Sequence, residues 1–443
     1  MGAEAFLSAR KVSARGKVGR RCLRTTVVPG SGGDHPAIGH FLAAVFPGFS
    51  RREFKASLED PFYEPHDRLL IWRDGEIVGH AQVTHRVMQF GQVQLPVAGL
   101  ARVATAPEWA GQGLGRMLLE AAEKHMVRTG ALVGLLQTRV PRFFHRSGWV
   151  ACGRHSYSRA DVRAVLSQLL DAATPRPAHR ALQIRPWRRW EAEALRRIYE
   201  ASVENTYGPR QRSDAYWQWL IRRQAYDQIY VALASRRPLE PAETNAKIVG
   251  YAVTRGERIV EMFSAAGRPG ASAELLHRVC GDSIEHDRQD VVLCAPCSSP
   301  MHALFREAGG RSSYEPSDRG EVLMARVLAP LTLLRQLCGE FHRRAEQAGL
   351  PLPIDLGLLV EGQKCCLEIR PQDARAVSHH IGRSYLKASE ADFTHLLLGQ
   401  LDWTTALADG RIQASTALAQ EAGRVLLPQL QLWHPPWDDL AAS

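Results

Sequence analysis

The stretch "RVATAPEWAGQGLGRMLLEAAEKH", Arg102 to His125, constrains this chain more than any other. Three glycines, Gly111, Gly113 and Gly115, stand at the mouth of an unbroken run of helix formers. Glycine costs a helix about 1 kcal/mol relative to alanine, so its repetition at a helix entrance needs a reason. From about Gln112, Leu114, Met117, Leu118, Ala121, Ala122, His125 and Met126 recur at three- and four-residue steps, the spacing of one buried helix face. Thr129-Gly130 ends the run, with Gly130 suited to a left-handed C-terminal position. The glycines thus fall in the first turn, ahead of the packing face. A helix N-terminus presents unpaired N–H groups and a partial positive charge. Stripping side chains from it lets a phosphate reach the backbone, and Arg116 adds its own charge. The spacing Gly-x-Gly-x-Gly is neither the dinucleotide pattern Gly-x-Gly-x-x-Gly nor a P-loop, which needs Gly-Lys-Ser/Thr. On spacing alone, a tight turn from strand to helix explains the glycines as well as a phosphate does.

The 443 residues are enough for two to four domains, and their order suggests three blocks. Residues 1–24 carry seven Arg or Lys and one acid, Glu4, and read as a basic, disordered tail. Residues 25–165 hold strand-like runs at 69–73, 77–86, 92–105 and 131–138 around the glycine-led helix. An Ala/Pro-rich segment, "DAATPRPAHRAL", places a linker over 166–182. Residues 183–328 form a second block, and 329–443 a third with helical ends around two strands, "DLGLLVEG" and "KCCLEIRP". The tail supplies more than half of the net charge of +10, so the rest is only mildly basic. That argues against a nucleic-acid partner, which needs positive charge gathered on a folded face. No apolar run of 18 residues is present, so no membrane span is expected, and no apolar core follows the basic tail to make a secretory signal. The eight cysteines follow no framework spacing, which suggests reduced thiols in a cytoplasm. Cys294-Ala-Pro-Cys297 lacks a second ligand pair, and the 17 histidines form no ligand pattern, so no metal is expected.

The flanks of the glycine run carry more information. "LARVATAPEWAGQGLGRML" resembles the coenzyme A signature of the GCN5-related N-acetyltransferases, a strand of the form V-x-V-x-P followed by Gln/Arg-x-x-Gly-x-Gly/Ala at a helix start. Ala110 stands where that pattern has Gln or Arg. The resemblance implies that backbone at Val103, Ala104 and Thr105 pairs with the pantetheine arm of acetyl-CoA. It also implies that Gly111, Gln112, Gly113, Leu114, Gly115 and Arg116 hold the pyrophosphate. "RFFHRSGW" at 142–149 resembles the later family segment in which a tyrosine four residues before the glycine protonates the departing thiolate. Here that position is Phe144, and the acid is absent. The second block has "SAAGRPGASAELLHRV" and "SPMHALFREAGG" at the matching places without the regular glycine loop, and "ADFTHLLLGQLDWTTALADGRIQAS" in the third resembles a sterol-carrier-protein fold. The order resembles the Eis (enhanced intracellular survival) type of acetyltransferase. It implies an α/β (α+β) chain with two GNAT-like mixed-sheet domains in tandem, the second degenerate, followed by an SCP2-like α+β domain.

That resemblance implies an acetyl-CoA-dependent N-acetyltransferase with acetyl-CoA as co-substrate. The acceptor is an amine on an aminoglycoside-like small molecule or on a peptide or protein, and the assembly is a homo-oligomer, often a hexamer. The family's general base is the chain's terminal carboxylate, here Ser443 in "HPPWDDLAAS", with the Asp438/Asp439 pair as a second source and His145 as a first-domain alternative. Tyr216, Trp217 and Trp219 read more naturally as core than as cleft. A coenzyme A- or lipid-binding protein without turnover is the rival reading, supported by Phe144, Ala110 and the long tail.

Overall fold

A computed structural model describes residues 25–153, 155–171, 182–234, 247–268, 270–315, 317–318 and 320–440. The basic tail, most of the expected linker and Ser443 lie outside the described residues. The chain divides into two compact units: one takes the described residues of Met1–Val87, Leu95–Cys152 and Arg319–Leu430, the other those of Met88–Gln94, Gly153–Asp318 and Gln431–Ser443.

The first unit opens with β1 (Val28–Pro29), α1 (His35–Val45) and α2 (Arg51–Leu58). Then come β2 (Arg68–Arg73), β3 (Glu76–Phe90), β4 (Val93–Thr105), α3 (Leu114–Arg128), β5 (Val133–Thr138) and the short α4 (Pro141–His145). Its main sheet runs β1-β2-β3-β4-β5 and is continued by the strand Glu321–Val327. Neighbours are antiparallel at β2/β3, parallel at β4/β5, and antiparallel again where Glu321–Val327 joins β5. Sequence periodicity places α3 correctly. Leu114, Leu118, Leu119, Ala122, His125 and Met126 are its buried residues. The helix lies close on the sheet, since a Cβ at Gly79 of β3 would come within 3.1 Å of Leu118. The third block belongs to this unit as a separate five-stranded sheet, ordered 374–378, 363–369, 354–360, 385–388, 412–414, with helices that include Glu390–Leu397 and Ala417–Leu426.

The second unit has a seven-stranded sheet in the order 311–315, 155–161, 290–294, 258–264, 247–255, 228–234, 182–186. Tyr216, Trp217 and Trp219 are buried in its core, as their spacing suggests.

Strand pairing does not follow the linear blocks. His155–Asp161, on the first block's side of the linker, pairs antiparallel with Asp290–Cys294 and with Arg311–Glu315 in the second unit's sheet. Glu321–Val327, at the end of the second block, closes the first unit's sheet against β5. A change in composition along the chain does not tell which sheet edge its neighbours complete.

Candidate functional site

The site begins where two parallel strands part. β4 and β5 pair from Val97↔Val133 to Leu100↔Leu136, and no pairing follows although β4 continues to Thr105. Between the parted ends lies a cavity of about 80 Å³, lined by Leu100 to Thr105 on one side and Leu136 to Thr138 on the other. Phe46, Gly115, Phe143 and Phe144 also line it. The lining is mostly apolar. Strand backbone left without a neighbour offers its N–H and C=O groups to whatever enters.

A kink in β4 aims that backbone. Arg102 adopts φ +53°, a left-handed conformation costly for a non-glycine residue. Two polar ties hold it. Its carbonyl accepts the Nδ1–H of His80 at 2.9 Å, and its guanidinium pairs with Glu53. His80 lies fully buried, and its Nε2 accepts a hydrogen bond from Arg68 Nη1 at 3.2 Å. Burial, with the Arg68 guanidinium beside it, pushes the His80 pKa down to about 3. A neutral ring is what this geometry requires, since one nitrogen donates and the other accepts.

The glycine turn sits at the same mouth. Gly111 has φ +78° and Gly113, the N-cap of α3, φ +82°, so left-handed backbone accounts for both. Gly115 is different: it lies inside the helix and lines the cavity, where a Cβ would stand 3.4 Å from Phe143. Met117 N–H is the first to bond within the helix, to Gly113 at 3.1 Å, which leaves the N–H groups of Leu114, Gly115 and Arg116 without an intrahelical partner. The Leu114 side chain is buried in the core, whereas Gln112 is exposed and the exposed Arg116 pairs with Glu120 at 2.8 Å. Val103, Ala104, Thr105 and Gly115 therefore line the cavity directly, and Gly111 to Leu114 and Arg116 make the turn at its edge.

The acid–base candidates fare differently. Phe144 is buried and lines the cavity edge-on to Phe143, so an unreactive ring fills the place where the family's tyrosine is expected. His145 next to it is exposed, donates Nδ1–H to the Trp149 carbonyl at 2.9 Å, and does not line the cavity. Ser443 lies outside the described residues. The Asp438/Asp439 pair is neither a free base nor a solvated tail. Asp438 is buried in the second unit, where Arg212 bonds it at 2.8 Å and also bonds Glu261 at 2.6 Å. Burial opposes the charge on Asp438, but Arg212 and Arg210 overcome it and hold the carboxyl below its usual range. Asp439 pairs with Arg210 and with His434. A general base needs a free lone pair and a raised pKa, and these two carboxylates have neither.

Sequence reading also missed a polar cluster in the first unit. His66, Asp67 and His125 place a ligand atom each within 4.8 Å of one another. His125 and Asp67 lie 58 residues apart, so no local motif announces them.

Residues 29–152 match the acetyltransferase (GNAT) domain family. No curated protein matches the sequence. Among solved structures, a GCN5-related N-acetyltransferase from Anabaena variabilis ATCC 29413 aligns with a TM-score of 0.70 at 16% identity, covering 93% of this chain and 99% of that one. A GCN5-related N-acetyltransferase from Kribbella flavida gives 0.70 at 13% identity, covering 93% and 97%. Eis1 from Mycobacterium abscessus gives 0.62 at 15% identity, covering 93% and 99%. At these identities the structures bear on the fold alone, whereas the family match falls on the segment that holds the cavity and the glycine turn. Residues 29–152 are thus a GNAT acetyltransferase domain, and the enzyme is an N-acetyltransferase.

Proposed function

We propose that the first unit transfers acetyl from acetyl-CoA to a primary amine, in the cavity between β4 and β5. One observation carries this most directly: parted strand backbone at Val103–Thr105 and the unpaired N–H groups of the α3 entrance meet at one apolar cavity. Acetyl-CoA supplies the activated thioester. The strand edge would hold its pantetheine arm, and the first turn of α3 its pyrophosphate. Backbone N–H groups aimed by the Arg102 kink would receive the negative charge that develops on the acetyl oxygen. With Phe144 at the acid position, the sulfur would leave as thiolate. A free thiol has a pKa of about 8.5, so that departure is tolerable near neutral pH. No carboxylate or imidazole lines the cavity among the described residues, and the base that deprotonates the amine is not one of its walls. The acceptor we propose is an aminoglycoside-like polyamine or an amine of a peptide or protein, on the strength of the Eis-type domain order.

The test uses the full chain, acetyl-CoA and a panel of primary amines, with release of free thiol as the readout. Amine-dependent thiol release is expected. Tight acetyl-CoA binding with no release for any amine would instead make the chain a coenzyme A-binding protein.

A further inference from the structure

Asp67 is a fully buried carboxylate with no lysine or arginine at ion-pair distance among the described residues. Burying a lone negative charge is expensive, and only neutral-capable donors surround this one. Oδ1 accepts the Nε2–H of His85 at 2.7 Å and of His125 at 2.9 Å, and Oδ2 accepts the Glu64 backbone N–H at 3.1 Å. Beside it stands His66, exposed on the short turn Pro65–Asp67, its ring edge-on to His125 with centroids 5.7 Å apart. His66 makes no hydrogen bond among the described residues, although the Asp67 carboxylate and the His125 imidazole lie next to it.

We propose that His66, Asp67 and His125 bind one divalent transition-metal ion of the zinc type, with His85 steadying the carboxylate from behind. Two imidazoles and a carboxylate are the donors such an ion prefers, and a water would complete four-coordination. Ligand atoms about 2.1 Å from a tetrahedral ion stand about 3.4 Å apart. The present spread of up to 4.8 Å needs only a swing of the exposed His66 ring and a slight opening between His125 and Asp67. The ion would supply the positive charge that Asp67 lacks. His85 would keep its hydrogen bond to the carboxylate, the usual task of an outer partner. One feature must change. Arg128 Nη2 donates to His125 Nδ1 at 2.9 Å, which places the imidazole proton on Nε2. Coordination through Nε2 moves that proton to Nδ1, and Arg128, exposed at the end of α3, turns out to solvent. A bound ion would then tie the start of β2 to the last turn of α3, at the opposite end of that helix from the glycine turn. The inference is independent of acetyl transfer.

The experiment is calorimetric titration of the metal-stripped full chain with zinc chloride, alongside the H66A variant. His66 is exposed, so the variant keeps its fold and its affinity for acetyl-CoA. The expected result is a site of one ion per chain that is weakened at least tenfold in H66A, with a rise in Tm on zinc addition only in the unaltered chain. Binding to scattered histidines and thiols is the same in both proteins and cancels. Cobalt(II) gives a second readout, because its visible absorption should change when His66 is lost. Identical titrations and identical cobalt spectra for the two proteins would overturn the proposal.

Discussion

His80 shows how much one buried side chain fixes at the cavity. Its two nitrogens join the Arg68 guanidinium to the carbonyl of Arg102, and through that carbonyl they hold the kink in β4. The ring stays neutral in the folded chain because burial and Arg68 push its pKa down to about 3. In the unfolded chain the same ring titrates near 6.5. Between about pH 3 and pH 6.5 the unfolded state therefore binds a proton that the folded state refuses. Stability must rise with pH through that window, and the contribution is complete above it. We expect His80 to add up to about 1.4 kcal/mol of stability per pH unit across the window. Burial lowers His35, His302 and His395 in the same sense, so the slope of the native chain alone does not isolate His80. Urea unfolding from pH 4 to 7 for the native chain and H80Q does. The variant should lose the extra slope, and parallel curves would mean that His80 is not held neutral by the fold.

At the scale of elements, the start of α3 separates two roles of glycine. Gly113 needs φ +82°, and a Cβ there would meet nothing within 4 Å. Gly113→Ala should therefore cost only the left-handed strain, about 1–2 kcal/mol, with acetyl-CoA affinity nearly kept. Gly113→Glu adds a negative charge where the pyrophosphate is proposed to lie, and calorimetry should show at least a tenfold loss of affinity with a similar stability cost. Equal affinity in both variants would take the turn out of the binding site. This helix and its turn were legible in the sequence because their determinants are local: spacing, glycine and a stop signal. Reading the turn as a coenzyme A loop rested on the flanking "RVATAP" strand as well. The Arg102 kink was not legible, since arginine carries no preference for positive φ and is held there by Glu53 and His80, residues from two other elements. Asp438 was misread for a similar reason. It reads in sequence as a second general base because nothing local in "HPPWDDLAAS" announces Arg212, 226 residues earlier in the chain, which bonds its carboxylate.

The whole molecule departs most from a linear reading in how its sheets are completed. Cutting the chain at a composition change gives a first block of residues 25–165, but β5 would then lose its antiparallel partner, Glu321–Val327. The exposed edge would be "VGLLQT", apolar and unpaired, a template for aggregation. His155–Asp161 would also be left without Asp290–Cys294 and Arg311–Glu315. We therefore expect residues 25–165, expressed alone, to aggregate or to melt without a cooperative transition. Residues 25–152 joined by a short flexible linker to 319–430 should do better. That fusion restores the partner of β5, and its junction is feasible because the Cys152 N–H already bonds the Leu323 carbonyl at 2.9 Å. It also retains Arg326, which pairs with Glu123 at 2.8 Å on α3, and Thr394, whose hydroxyl accepts the Val327 N–H at 3.4 Å. Differential scanning calorimetry and acetyl-CoA binding on the two fragments decide the matter. A sharp transition and full affinity from 25–165 alone would show that the exchanged strand is dispensable, and the linear boundary would stand.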